Sequence, residues 1–520
     1  MLATDYEGNV YAWDSHGKRV FHRTSNVNYS GRPLSPFVSA RKGKTNRTQH
    51  GFLTAPVVAD LDGDGRPEII AASLDRHVYA WHADGRLVHG FPVEVVDPSK
   101  VASIDPRTHE VSFKPGVGAT LNQGAIVDTP AVGDVTGDGK PEIIVGTNEE
   151  YDPGQDGGLN VGGKSGPSLG LIGAAGVISP ANGRVFAIRG NGGSGAAAIL
   201  PHWPFKVARL AAELLPVVGE GITGSPIIGP VNCGANGGNG AKVGVMPDAG
   251  VAYVLNQDAS SCQGSSPSPS GVKPDGLQTN GAQNPQNNDT PVFPAVGQPA
   301  FAPLGGQMSF IAPTTGVIRA LDLAANEYQG GRDSITAWDA ASGHFRPGFP
   351  APVNDLQFLT GPSIADIDGN ASNEVVGGSA SLDLNAFDEG GQPVPGWPKL
   401  TTDWTIANPA IASFGTRDTD PGARKVVIGA TRSGYVLGYG TSAPACSSSP
   451  WPRFHHDLAN SGDYARDAIP PGRASAVRVS GGRLLFNAPG DDLLCGRARS
   501  YRMSPPTAPS PPRASRGRVP

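Results

Sequence analysis

The sequence predicts an all-β protein, a β-propeller of about seven blades of four-stranded antiparallel sheets, and three observations predict it. The chain holds 72 Gly and 49 Pro in 520 residues. Without a collagen period, that level means either disorder or a fold of very many tight turns. Short apolar runs such as Glu68-Ile69-Ile70 and Lys425-Val426-Val427-Ile428 recur between the turns, which disorder does not supply. A unit carrying those runs repeats along the chain, and a fixed unit is the mark of repeat architectures.

Each unit opens on a proline. In three copies an Asp follows four residues later and begins an acidic loop: Pro56 to Asp60, Pro130 to Asp134 and Pro362 to Asp366. Pro226, Pro299 and Pro409 open copies that keep the proline but not the Asp. Successive prolines lie 74, 96, 73, 63 and 47 residues apart, so the unit is fixed and the insertions vary. After the loop comes a β-branched run (Glu68-Ile-Ile-Ala-Ala, Glu142-Ile-Ile-Val-Gly, Glu374-Val-Val-Gly-Gly). A strand ending in a large apolar residue follows, with Trp81, Ile188, Trp338 and Phe387 in that place. A glycine turn then leads to an aromatic–proline exit, seen in Gly90-Phe-Pro92, Trp203-Pro-Phe205, Gly348-Phe-Pro350 and Gly396-Trp-Pro398. Three to four strands per unit with turns between them describe a propeller blade. Residues 3–13 match only the second half of a unit, so one partial and six full units make about seven blades. A β-sandwich array would not share one strand order with one fixed loop.

The acidic loops carry the site chemistry. The first, Asp60-Leu-Asp62-Gly-Asp64-Gly65-Arg66-Pro-Glu68, offers side-chain oxygens at positions 1, 3, 5 and 9 and the Arg66 carbonyl at 7. Hard Ca²⁺ takes six to eight oxygens, and alternate side chains on a tight loop converge on one centre. Gly65 at position 6 permits the sharp turn. The second loop offers Asp134, Thr136, Asp138, Lys140 through its carbonyl, and Glu142. The third offers Asp366, Asp368, Asn370, Ser372 through its carbonyl, and Glu374, with Ala371 in place of the glycine. An EF-hand needs Glu at position 12 between two helices. Position 12 here is Ala71, Val145 or Gly377, inside a β-branched strand, so that motif is rejected. Carboxylate counts of four, three and three make the first loop the expected tightest site. The plain alternative is an Asp/Gly turn with no metal. A catalytic ion keeps an open position beside a substrate cleft, whereas a loop that wraps its ion is structural.

These features together resemble the FG-GAP/VCBS repeats of integrin α-chain propellers and their bacterial secreted relatives. The resemblance covers roughly residues 1–440, weakly in the insertions at 99–122, 150–180 and 263–290. It implies structural Ca²⁺ in up to three loops, although the family more often has Asp where this chain has Glu at position 9. Residues 451–462 resemble the segment that closes bacterial propellers of this type. Residues 463–503 resemble the start of a fibronectin-III-like module that stops too soon to close a sandwich, and 504–520 read as a disordered tail.

Other signals bound the function. The net charge of −5 and the lack of a dense basic block exclude a nucleic-acid footprint. No apolar run of about eighteen residues exists to cross a membrane as a helix. The residues after Met1 read directly as a strand rather than as a leader. The four cysteines allow three pairings, of which the local 233–262 and 446–495 suit an oxidising compartment, and free thiols remain the alternative. His455, His456 and Asp457 read as packing and capping rather than metal ligands, because neighbouring strand side chains point to opposite faces. Glycine-rich stretches at 190–195 and 234–240 lack the following helix of a phosphate cradle. Trp13, Trp81, Trp338 and Trp397 recur at blade positions and read as inter-blade packing, with Trp404 outside that register. The expectation is a monomeric, extracellular or cell-surface, non-enzymatic Ca²⁺-binding scaffold with a protein or glycan ligand on its loop face. The rivals are a lectin-like glycan binder and a polysaccharide lyase or enzyme-attached propeller.

Overall fold

The computed structural model describes residues 1–26, 29, 50–117, 125–147, 149, 178–180, 183–207, 210–212, 222–247, 251–264, 276–278, 291–294, 297–316, 319, 331–357, 359–413, 422–467, 474–488 and 495–496. Seven antiparallel sheets follow one another along the chain as blades 1 to 7. Blade 1 holds Leu2–Thr4, Asn9–Trp13 and Arg19–Thr24. Blade 2 holds Val57–Ala59, Glu68–Ala72, His77–Trp81 and Val93–Glu94. Blade 3 holds Ala131–Gly133, Glu142–Thr147, Arg184–Arg189 and Phe205–Lys206. Blade 4 holds Ile227–Pro230, Ala241–Val245 and Tyr253–Leu255. Blade 5 adds Pro291–Pro294 to Ala300–Leu304, Gln307–Gly316, Asp333–Asp339 and Ala351–Val353. Blade 6 holds Ser363–Ala365, Glu374–Gly378, Asp383–Phe387 and Lys399–Leu400. Blade 7 holds Ala410–Ser413, Arg424–Ala430 and Val436–Pro444. This is a β-propeller. Uniform four-stranded blades are not found: three, four or five strands form each sheet among the described residues. The extra strand of blade 5, Pro291–Pro294, pairs with Gln307–Gly316, the same strand that Ala300–Leu304 pairs with.

The repeated proline marks where the blades are tied to one another. The residue at or next to the proline's N-terminal side reaches the next blade in turn. Ala55 N–H donates to Thr129 Oγ1 (3.1 Å), Thr129 N–H to Ser225 Oγ (3.0 Å), and Ser225 N–H to Gln298 Oε1 (2.9 Å). Gln298 N–H then donates to the Thr360 carbonyl (3.0 Å), and Thr360 Oγ1 to that of Ala407 (3.0 Å). Proline fixes the following backbone and removes a donor that would compete for these acceptors. Thr4 Oγ1 joins blade 1 through the Thr54 carbonyl at 2.6 Å.

Between the blades lie apolar layers drawn from neighbouring sheets. One cluster includes Ile70, Ile143, Val145 and Phe186 of blades 2 and 3; another Ile227 and Val254 of blade 4 with Phe301, Phe310, Ile335 and Ile364 of blades 5 and 6. Each fully buried Ile or Phe contributes about 1.5–3 kcal/mol. At Gly146 a Cβ would lie 2.6 Å from Ile222, so only glycine lets the backbone of blade 3 come so close there. Trp81 packs edge-on to Phe21 of blade 1 (6.3 Å), Trp203 Nε1 donates to the Gln257 carbonyl of blade 4 (2.8 Å), and Trp397 faces Tyr439 of blade 7 (6.3 Å). All four aromatic–proline exits are cis peptides.

Residues 448–466 run along the inner strands as a strap. Its carbonyls accept from the inner-strand N–H groups of Val58 (Ala459), Val132 (Ser461), Ile228 (Gly462), Ile364 (Trp451), Asp366 (Ser448) and Ile411 (Pro452), at 2.7–2.9 Å. It thus pairs blades 2, 3, 4, 6 and 7. His455 and His456 stand here in left-handed turn conformations (φ 55° and 71°), not in a strand, so strand alternation does not describe them. His455 is buried between the Pro226 and Asn460 carbonyls (2.9 and 2.7 Å), and neither histidine joins a metal-ligating cluster among the described residues.

Residues Thr416–Ala423 and Ile469–Pro520 form a separate unit. Its described strands, Ser475–Ser480 and Arg483–Asn487, make a single hairpin. The tail at 504–520 lies outside the described residues. No described helix is long and apolar enough to cross a membrane.

Candidate metal centre

The three acidic loops occupy one place in blades 2, 3 and 6, between the inner strand and the second strand. Each turns through two left-handed residues, at positions 4 and 6: Gly63 and Gly65, Gly137 and Gly139, Gly369 and Ala371. The side chain of the first Asp holds the turn from within. Asp60 accepts from Gly63 and Gly65 (2.8 and 2.9 Å), Asp134 from Gly137 and Gly139 (2.7 and 2.8 Å), and Asp366 from Gly369 (2.7 Å). The position-5 residue accepts the N–H of position 7: Arg66 to Asp64, Lys140 to Asp138, Ser372 to Asn370. These are Asx turns, the reason Asp and Asn fill the loops.

The position-9 glutamates are buried, and each gives Oε2 to the loop's own backbone. Glu68 accepts from Leu61 (2.8 Å), Glu142 from Val135 and Thr136 (3.0 and 3.2 Å), and Glu374 from Ile367 (2.7 Å). In the first loop Oε1 meets His82 Nδ1 at 3.1 Å. In the third, Glu374 Oε1 is buried without a hydrogen-bond partner, and in the second the same is true of Thr136 Oγ1. Burial pushes both Glu142 and Glu374 up to about 7, with nearby loop aspartates adding to it.

The sequence-assigned carboxylates come together in two loops. Oxygens of Asp60, Asp62 and Asp64 lie within 4.8 Å of one another, as do those of Asp366, Asp368 and Glu374. His82, on the strand end after the first loop, gathers with Asp62 and Glu68 in the same way. The loop motif contains no signal for it, since it comes from the next strand. Lys425 of blade 7 is buried beside the third loop. It donates to the carbonyls of Ser447 and Ser448, and burial lowers it to about 8 against the raising pull of Asp366 and Glu374.

In blades 4 and 5 the places equivalent to these loops are built differently. In blade 4 a disulfide ties Cys233 of the loop to Cys262 beyond the third strand, and no free thiol remains among the described residues. In blade 5 the strands join through the two-residue turn Gly305-Gly306, both left-handed. A cleft of about 580 Å³ opens beside the second loop, between Asp134–Gly137 and the blade 4 residues Asn236, Lys242, Asn256, Asp258 and Ser260.

No family model matches the sequence, and no curated protein matches it. Solved structures of similar architecture do. A quinohemoprotein alcohol dehydrogenase from Pseudomonas putida HK5 aligns over 91% of this chain and 68% of its own at 13% identity, TM-score 0.44. BBS1N in complex with ARL6DN aligns over 86% and 89% at 11% identity, TM-score 0.39. The V. cholerae biofilm matrix protein Bap1 aligns over 89% and 92% at 14% identity, TM-score 0.31. At these scores the likeness carries no argument, and the propeller rests on the sheets, the hydrogen bonds that run from blade to blade and the strap.

Proposed function

We propose that this chain is an extracellular propeller of the FG-GAP/VCBS type, stapled by Ca²⁺ in its acidic loops and serving as a non-enzymatic interaction scaffold. The observation that carries the metal is Glu374: its Oε1 is buried without a hydrogen-bond partner, and one of its carboxylate oxygens gathers with those of Asp366 and Asp368 within 4.8 Å. An unpartnered buried carboxylate oxygen is costly, and a hard divalent ion bound by oxygens relieves it. In the second loop Thr136 Oγ1 is buried without a hydrogen-bond partner, but Asp134, Asp138 and Glu142 do not gather as the carboxylates of the other two loops do. Asp60, Asp62, Asp64, Glu68 and the Arg66 carbonyl would hold the first ion. The disulfide supports an oxidising compartment.

The test is a thermal melt in Ca²⁺ against a Ca²⁺-selective chelator. An ion that binds only the folded state stabilises by mass action, so Ca²⁺ raises Tm, and Asp62→Ala reduces that rise more than Thr136→Ala. Identical melts with and without Ca²⁺ would sink the assignment. A glycan-binding role is the second reading, favoured by the amide- and hydroxyl-lined cleft. Binding on a glycan array in Ca²⁺ supports it, and a blank array removes it. Turnover of a uronic-acid polymer would overturn the non-enzymatic reading.

A further inference from the structure

A second cluster of ligating side chains lies in blade 2, away from the acidic loops. His77 and Glu94 are register partners on its two outer strands, and both are buried. His109 comes from the insertion between blades 2 and 3, on the turn joining Val101–Ile104 to Val111–Phe113. Its left-handed backbone (φ 53°) delivers the ring to His77, with His77 Nε2 and His109 Nδ1 2.8 Å apart. Tyr29 stacks on both imidazoles, with centroids 4.5 and 4.1 Å away. One atom each of His77, Glu94 and His109 lies within 4.8 Å of the others.

We infer that His77, His109 and Glu94 form a binding site for a divalent transition-metal ion of the zinc type. Two imidazoles and one carboxylate are a common zinc set, whereas hard Ca²⁺ selects oxygen. The surroundings fix the ligand atoms. His77 Nδ1 lies 2.8 Å from the Asp75 carbonyl and 3.3 Å from Asp75 Oδ1, so Nδ1 carries the proton and Nε2 keeps its lone pair. A histidine held by an acidic partner behind it is the usual outer layer of a metal ligand. Asp75 is itself held by Tyr79 Oη–H at 2.7 Å. Glu94 Oε1 pairs with Arg76 Nε at 3.0 Å, which leaves the buried Oε2, without a hydrogen-bond partner, for the ion. Zinc–nitrogen bonds of about 2.0–2.1 Å place two tetrahedral nitrogens about 3.3 Å apart, so the ring nitrogens part by about 0.5 Å when the ion binds. Three protein ligands leave a fourth position for water.

Chelator-treated full-length protein is titrated with Co²⁺, whose visible absorption reports nitrogen-ligated, low-coordinate binding, and then with Zn²⁺ against a chromophoric competitor. The expected result is a Co²⁺ band that Zn²⁺ abolishes and excess Ca²⁺ does not. His109→Ala and Glu94→Gln each weaken binding at this site at least about tenfold, and Asp368→Ala leaves it unchanged. His109 lies on a hairpin turn outside the blade core and Glu94→Gln is isosteric, so both variants keep the fold, as circular dichroism checks. Absence of bound Co²⁺ and Zn²⁺, or binding unaltered in both variants, overturns the inference and leaves a hydrogen-bonded histidine pair.

Discussion

At the residue scale, two side chains show how local conformation and charge set stability. Ala371 stands at position 6 of the third loop with φ 71°, where the other two loops have glycine. A left-handed alanine costs roughly 1–2 kcal/mol, partly offset by the greater chain entropy of glycine. Ala371→Gly is expected to gain about 0.5–1 kcal/mol in denaturant unfolding without loss of Ca²⁺ response. Asp457, in the strap, is buried. Burial works against its ionisation, but the His456 ring 3.7 Å away, the hydrogen bonds from Ser461 and the charge of Arg466 outweigh it and hold the carboxyl at about 2. The unfolded value is about 3.9. The folded value is the lower one, so the stabilisation is present above about pH 4 and is lost as pH falls through 2. Asp457→Asn is expected to cost about 2–3 kcal/mol at pH 7. The loss of stability between pH 4 and 2 should shrink in that variant, and an unaltered acid limb would show that Asp457 does not titrate there.

At the element scale, the blades differ in how they close the first hairpin. A two-residue glycine turn needs no staple, because its twist matches the strands it joins. A nine-residue acidic loop holds its shape through Asx turns and gathers carboxylates for an ion. The blade 4 loop is tied covalently, with a sequence separation of 29 residues between Cys233 and Cys262. A disulfide over a loop of that length stabilises by about 3–4 kcal/mol in the chain-entropy view. Cys233→Ser with Cys262→Ser is therefore expected to lower the unfolding free energy by a similar amount, equally in Ca²⁺ and in chelator. A loss that appears only in chelator would mean that the two kinds of staple act on one another.

At the scale of the whole molecule, the strap decides whether the blades hold together. Trp451 is fully buried, and its backbone exchanges hydrogen bonds with Ile364 in both directions, at 2.7 and 3.1 Å. Trp451→Ala is expected to cost about 3–5 kcal/mol. A chain ending before residue 448 exposes six inner-strand N–H groups and should lose its cooperative melt. Retention of that melt would show that the blades close without the strap.

The repeat, its opening proline, the loop ligands and the exit motif were legible because each is local. A turn, a strand period and an Asx loop are set by a few consecutive residues, and copies can be compared along one chain. The strap resembled a closing segment in sequence, yet not that its carbonyls would reach five blades, nor that His455 would sit between two distant carbonyls. His82 joins the first loop from another strand, and His77, Glu94 and His109 come from two strands and an insertion. The sequence by itself determined the blade, its number of copies and the acidic loops, because those depend on neighbours in the chain. Only the tertiary structure decided which side chains meet across blades and which buried oxygens are left without a partner, because proximity and desolvation arise when distant segments pack.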